Sequence, residues 1–333
     1  MKTLNVRAMV EGAILAALTA IMGVFYWMPV LSVITFFWSV PIILVGYRHG
    51  FKISIISSVV AALIVSMLMN PVMGMILLIV YALPGAAIGV MLRKKFSPYA
   101  VIFIGGLILA AATVLEFALT MDILSGRSVI NIIINFGAEI DSYYNNLYNT
   151  AVKATEIYGK LGIDKETINQ ILEVFKTAIS SARRVLPAFF VLIGVFIAYA
   201  NFKVVKLILN RLGYAIEDIK KFSKWKVKED MTAPALILTV AALSLYYIKI
   251  EWLGVINENL LVFLFTAYGI LGMSVVMYFV EKIVVQYEIP KPLQVFIIVF
   301  IFFALFAGLP FIGMFDLTAD IRRLNKNTIG GAK

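Results

Sequence analysis

Long apolar runs alternate with short polar breaks along most of the chain. Runs of about 18–25 apolar residues, wound as helices, match the roughly 30 Å hydrocarbon core of a bilayer. The first extends from Ala8 to Tyr26 and the second from Val30 to Gly46, joined at Trp27-Met28-Pro29. The third covers Ile53 to Met69 and stops at Asn70-Pro71, a strong turn signal. The fourth covers Val72 to Leu92 and the fifth Tyr99 to Met121. After a long interruption the sixth covers Val185 to Leu209, with Pro187 near one end. Three more follow at Ala233–Ile250, Leu260–Val280 and Leu293–Phe315. The pattern predicts an all-α, polytopic membrane bundle of about nine spans, with eight as the alternative.

The interruption, Asp122 to Arg184, is too polar to span, yet it has helical periodicity. Ile133, Phe136, Ile140, Tyr144, Leu147, Ala151 and Ala154 recur at three- and four-residue steps. A second helix is expected to start at Asp164 as N-cap, with Ile163 and Ile168 placed for a hydrophobic staple. Its stripe is Ile168, Ile171, Leu172, Phe175 and Ile179. Two amphipathic helices, packed on each other or on the membrane surface, account for the segment.

Charge orients the bundle. Lys2/Arg7, Arg48/Lys52 and Arg93/Lys94/Lys95 fall after every second span, while the turns at 27–29 and 70–71 carry no basic residue. Cytoplasmic loops collect Lys and Arg, so the N-terminus is expected inside a multi-pass protein of the cell membrane. The segment 122–184 then lies outside, and its seven basic and seven acidic residues cancel. Asn201–Asp230 holds eight basic and four acidic residues, as an inside loop should. The formal charge of +10 therefore reflects topology rather than nucleic acid. Lys220, Lys221, Lys224, Lys226 and Lys228 offer an alternative role, contact with anionic lipid. Arg322, Arg323, Lys326 and Lys333 have the wrong sign for the outside tail that nine spans imply. Either a span is miscounted or the last helix is re-entrant. The expected divisions are 1–121 (five spans), 122–184 (an extracytoplasmic helical insertion), 185–210 (the sixth span), 211–232 (a basic cytoplasmic loop), 233–315 (three spans) and 316–333 (a polar tail).

Composition narrows the chemistry. The chain is 62% hydrophobic and 14% charged, with a mean hydropathy of +0.96. It has no cysteine and one histidine, His49, so disulfides, thiolate chemistry and histidine-rich metal sites are out of reach. Phosphate-loop, H-E-x-x-H and G-x-S-x-G motifs are absent from the sequence. No enzyme, cofactor or metal is expected. Polar residues inside spans are costly, so they become the candidates. Glu116 sits in the fifth span and Asp122 near its end, placed for a ligand or cation contact at the outer mouth, or for a snorkelling interfacial role. Glu11 lies one turn from Arg7, placed for an i,i+4 pair. Tyr26, Trp27 and Trp38 fit an aromatic belt, with an outer pocket as the alternative. Asn70 either caps such a pocket or turns the chain.

The first helix reads Glu11-Gly12-Ala13-Ile14-Leu15-Ala16-Ala17-Leu18-Thr19-Ala20. Ala13/Ala17 and Ala16/Ala20 are each four apart, so a second helix can approach closely. This alanine pattern resembles the first helix of the substrate-binding S-components of energy-coupling factor (ECF) transporters, and spans one to six fit that family's six-helix layout. The whole chain is similar to the YybS-like membrane proteins, a family of unknown function grouped with S-component-like folds. The resemblance implies that Ala13, Ala16, Ala17 and Ala20 face a membrane coupling subunit. It also implies that a small-molecule ligand binds near the outer surface, at the level of Tyr26, Trp27, Asn70, Glu116 and Asp122. The three added spans and the outer insertion depart from the S-component pattern.

Three functions follow. The first is an S-component-like binder of a small solute or partner at its outer face, energised for transport by separate subunits. The second is a non-transporting scaffold or accessory protein for envelope or signalling partners, since the layout also resembles MreD-like cell-shape scaffolds. The third, an ion-coupled carrier using Glu116, lacks a second buried charge or a clear inverted repeat.

Overall fold

The computed structural model describes residues 6–25, 32–125, 129–160, 164–245, 247–248 and 250–322. The described secondary structure is helical throughout and falls into two compact units, 1–218 and 219–333.

In the first unit, α1 (Val6–Val24), α3 (Phe51–Leu68) and α6 (Pro98–Ser125) are uninterrupted apolar helices. The second apolar run divides. A 3₁₀ turn at Ser32–Phe37 precedes the short helix α2 (Val40–His49), which carries Pro41 in its first turn. Proline has no N–H to give and its fixed φ suits a first turn, so it begins a new helix here. The fourth run is α4 (Pro71–Ile76), a π-helical segment (Leu77–Ala82) and α5 (Leu83–Arg93).

The segment 122–184 is built from extensions of its neighbours. The fifth-span helix α6 continues to Ser125, α7 (Val129–Ile134) follows, and α8 (Phe136–Lys160) is the first amphipathic helix. The second amphipathic stretch and the sixth span are one helix, α9 (Lys165–Arg211), 47 residues long. At 1.5 Å per residue α9 is about 70 Å long, more than twice a hydrocarbon core. The helix α8 folds back along its first half. Arg183 Nη1 donates to Asp141 Oδ1 at 2.7 Å, and Phe136 meets Phe117 edge to ring and Phe190 at a tilt. The two amphipathic helices thus pack on each other. Asp164 caps α9, accepting from the Thr167 N–H at 2.7 Å. The expected staple partner Ile163 lies outside the described residues.

Glycine crossings hold the first unit together. A Cβ at Gly106 on α6 would sit 2.6 Å from Val195 Cα, and one at Gly194 on α9 would sit 2.8 Å from Ala110 N. Gly46 on α2 and Gly89 on α5 meet in the same way, a Cβ at Gly89 lying 2.9 Å from Gly46 Cα. Between α1 and α3, Gly12 faces Ser57 and Ile53. Large apolar residues point outward instead, among them Leu63, Phe103 and Phe196. Such a surface suits lipid, not water.

The second unit comprises a 3₁₀ turn (Phe222–Lys224), α10 (Glu229–Leu245), α11 (Glu251–Gln286), α12 (Lys291–Leu305) and α13 (Leu309–Ala319). The helices α12 and α13 meet at a 95° bend. Gly313 packs on Gly272, where a Cβ would come within 2.7 Å of the Gly272 nitrogen. Arg322 is 4% exposed and joins three parts of this unit. Its guanidinium donates to Asp316 Oδ2 (2.8 and 3.2 Å), to Ser274 Oγ (2.8 Å) and to the carbonyls of Ser223 (2.9 Å) and Trp225 (2.8 Å). Lys226 pairs with Asp320 at 2.5 Å and Lys221 with Glu281 at 2.9 Å. The end of α13 therefore lies on the same face of the unit as the loop before α10. That geometry favours the re-entrant alternative for the last expected span. Arg322, neutralised by Asp316, is also a poor topology marker.

Six helices among the described residues are long and apolar enough to cross a membrane, or seven if the bent pair counts as one span. The other two expected spans correspond to α2, with 10 residues, and α10, with 17. The residues outside the description include 323–333, hence Arg323, Lys326 and Lys333.

Two substitutions test this packing. Gly106→Leu should destabilise the solubilised protein by about 1–3 kcal/mol or more, read as a lower thermal midpoint; an unchanged midpoint would disprove the close α6–α9 crossing. Arg322→Met leaves Asp316 buried without its cation and should cost about 3–5 kcal/mol, whereas Arg322→Met with Asp316→Leu should cost clearly less. Equal losses would show that the ion pair is not what stabilises this face.

Candidate functional site

The fourth helix cannot continue as a regular α-helix through Pro84, which has no N–H to donate and whose ring crowds the preceding turn. The chain widens by one residue, and the Leu83 N–H reaches back to the Leu78 carbonyl. Such π turns recur at functional sites. The turn carries Tyr81, whose carbonyl accepts from Ser39 Oγ at 2.8 Å.

Tyr81 joins a chain of polar and aromatic groups across the first unit. Its ring packs on Trp38, centroids 4.7 Å apart. Trp38 is 1% exposed, and its Nε1 donates to the Thr19 carbonyl of α1 at 2.7 Å. On the other side, the Tyr81 hydroxyl faces both oxygens of Glu116 on α6, at 3.3 and 3.4 Å. These are long contacts for an O–H donor to a carboxylate. Glu116 is half-buried and lies about 27 Å along α6 from Pro98. The carboxylate retains acceptor capacity toward a cation or a hydrogen-bond donor.

Of the residues singled out in the sequence, this series of contacts contains Glu116 and Trp38. Asn70 is exposed and caps α4, its Oδ1 accepting from the Met73 N–H at 2.9 Å. Asp122 lies further along α6. Tyr26 and Trp27 lie outside the described residues. Trp38 is a core residue, which corrects the aromatic-belt reading: its indole N–H finds a partner inside the bundle, not at a headgroup. Tyr81 was missed because apolar periodicity cannot reveal a π turn; Pro84 within a span was the available signal.

The alanines of α1 separate into two faces. Ala16 and Ala20 are buried with Ala8, Gly12 and Gly23, packed within the bundle. Ala13 and Ala17 are exposed beside Val10, Ile14, Leu18 and Ile21.

A second polar cluster lies where α1, α3 and α6 begin and α2, α5 and α9 end. Glu11 pairs with Arg48 and accepts from His49 Nε2 at 2.9 Å, both from α2. These partners lie 37 and 38 residues away in sequence, contacts that local spacing could not show. Burial, with the neighbouring Arg48, Arg93 and Arg7, lowers the His49 pKa below its ordinary value. After α9 the chain turns at Gly213 and is pinned by Asp218, which pairs with Lys206 and, at 3.2 Å, with Lys203. Hydrogen bonding from Lys206, then Lys203, holds the Asp218 carboxyl below the usual range despite opposing desolvation.

Close-packed apolar helices, an outward apolar surface and a polar chain within the bundle define a polytopic helical membrane protein. The chain belongs to the DUF2232 family of predicted membrane proteins, which matches residues 14–317. It is 25% identical over 325 residues to the "Uncharacterized protein YybS" of Bacillus subtilis (strain 168), covering 95% of this chain and 97% of that one. No solved structure matches.

The lowered Asp218 pKa sets a pH dependence. An acid bound more weakly to its proton when folded stabilises the folded strap above the unfolded value, about pH 4, and that contribution is lost as pH falls through the lowered one. Amide exchange at 212–218, corrected for intrinsic rate, should rise below about pH 4, and Asp218→Asn should show the raised exchange at neutral pH. Wild-type protection in the Asn variant would remove Asp218 from this role.

Proposed function

We propose that the protein is a non-enzymatic membrane binder whose N-terminal unit takes a small solute carrying a cationic or hydrogen-bond-donor group at Glu116 and Tyr81. The carrying observation is the Glu116 carboxylate: it sits in an apolar helix, and among the described residues its side chain is met by one tyrosine hydroxyl at 3.3 Å or more. A carboxylate placed in such surroundings is costly unless a partner completes its hydrogen bonding. The ECF S-component resemblance supplies the mode of action, a bundle that binds the solute while separate subunits provide energy. Exposed Ala13 and Ala17 are the alanines open to such a subunit, whereas Ala16 and Ala20 are already packed. The cell membrane, with the N-terminus in the cytoplasm, is the setting that the basic clusters support.

A scaffold role is the second reading. The α8–α9 hairpin favours it, because Ile171, Val174 and Phe175 stay exposed on α9 beside α8.

The test is native mass spectrometry of the full-length protein released from membranes. A small molecule should co-purify with the wild type and be retained about tenfold less by Glu116→Gln, a loss of the order expected for a hydrogen bond to a charged group. The variant should unfold at the wild-type temperature. Equal retention by both proteins would refute Glu116 as the contact. A wild type that retains no small molecule but captures a membrane protein through the hairpin would establish the scaffold instead.

A further inference from the structure

A cleft of about 450 Å³ in the first unit shares Arg48 and Arg93 with the polar cluster described above. Arg48, Arg93 and Lys95 line it, together with rings of Tyr47, Phe96 and Tyr214. We propose that this cleft binds a phosphate group carried on an apolar body: the headgroup of an anionic phospholipid.

The cations are arranged for an outside anion. Arg93 is fixed by Nη1, which donates to the carbonyls of Arg48 (2.9 Å) and Tyr47 (3.4 Å) at the end of α2. Its other nitrogens remain as donors of the planar fork that suits phosphate. Arg48 stands 5.8 Å from the Tyr214 ring, and its Nε is buried with no hydrogen-bond partner. Arg48 is matched by Glu11, and Glu217 also lines the cleft, so Arg93 and Lys95 supply the excess needed for a single phosphate charge.

Lys95 is an unusual residue for its place. The helix α5 ends in a Schellman turn: the Phe96 N–H bonds the Met91 carbonyl, and Lys95 between them has φ 57°. Glycine is the unstrained choice there. A lysine at that position carries a backbone cost that a cation facing the cleft would justify.

The apolar surroundings identify the body that carries the phosphate. Phe96 at the cleft is exposed, and so are Tyr99, Phe103 and Leu107, one turn apart along α6. Tyr99, Phe103 and Leu107 form an exposed apolar stripe about 12 Å long on α6, leading away from the cleft, against which the first part of an acyl chain can lie. A free phosphate ester would have no use for it.

The experiment titrates the full-length protein in detergent with phosphatidylglycerol or phosphatidylcholine of identical chains, read by native mass spectrometry, with inorganic phosphate as competitor. One phosphatidylglycerol should be preferred, and millimolar phosphate should not displace it. Lys95→Gly should weaken that preference about fivefold, one interfacial cation's worth, while its thermal midpoint stays equal or rises. Lys94→Gln, which removes the adjacent charge outside the cleft, should keep the preference. Equal weakening by both variants, or no preference in the wild type, would overturn the site. Lys95-dependent binding of inorganic phosphate without lipid preference would keep the phosphate chemistry and move its source to a soluble ester.

Discussion

Close approach of helix backbones at small residues is the constraint on which the structure depends. In lipid the hydrophobic effect gives two helices no reason to associate, because acyl chains are as apolar as leucine. What remains is dispersion, and it requires near contact. Gly106 with Gly194, Gly46 with Gly89, and Gly272 with Gly313 provide that contact. Each crossing has a glycine on both sides, so neither helix can gain a side chain there without separating from the other. Away from these crossings Trp38, Phe202, Ile42 and Ile88 fill the interior, while Leu63, Phe103 and Phe196 are among the bulky residues that cover the outside.

The same contacts explain where the polar groups can be. Once α2 and α5 are locked at Gly46 and Gly89, the residues a few turns away are held in fixed register. Ser39 then meets the carbonyl of Tyr81, and Trp38 meets its ring. The π turn rotates Tyr81 toward α6, and so toward Glu116. A regular α-helix with proline at 84 would leave backbone groups unmatched in a solvent that offers no replacement. The polar chain from Thr19 to Glu116 thus follows from a proline, a glycine crossing and the absence of water.

Much of the fold was legible because apolar run length and basic clusters report the solvent directly. The turn at Asn70-Pro71 was readable from its residue types, the helix start at Asp164 from capping chemistry, and the paired amphipathic helices from their period; that Asn70 caps α4 was not. Other features were not. Pro41 divides an apolar run that hydropathy alone treats as continuous. The fusion of the second amphipathic stretch with the sixth span into α9 escaped because composition changes near Arg184 while the helix does not. The site was only partly legible. Glu116 stood out as a charge in a span, but Tyr81 and Trp38 look like ordinary membrane aromatics until the backbone brings them together. The alanine pattern showed a face for close packing; it could not show that Ala16 and Ala20 pack within the bundle while Ala13 and Ala17 remain outside.

Charge counting fails in a more instructive way at the end of the chain. The positive-inside rule counts cations that remain solvated, since these resist translocation. Arg322 is buried, matched by Asp316, and spends its remaining donors on Ser274 and the carbonyls of Ser223 and Trp225. A guanidinium that closes a hydrogen-bonded hub organises the unit rather than marking its side. Its partners carry the topological information, because they tie the end of α13 to the loop before α10. With α12 and α13 bent by 95°, the pair has the geometry of a broken span or of a segment that enters and returns on one face, and the tie between Arg322 and the loop before α10 is what favours the second.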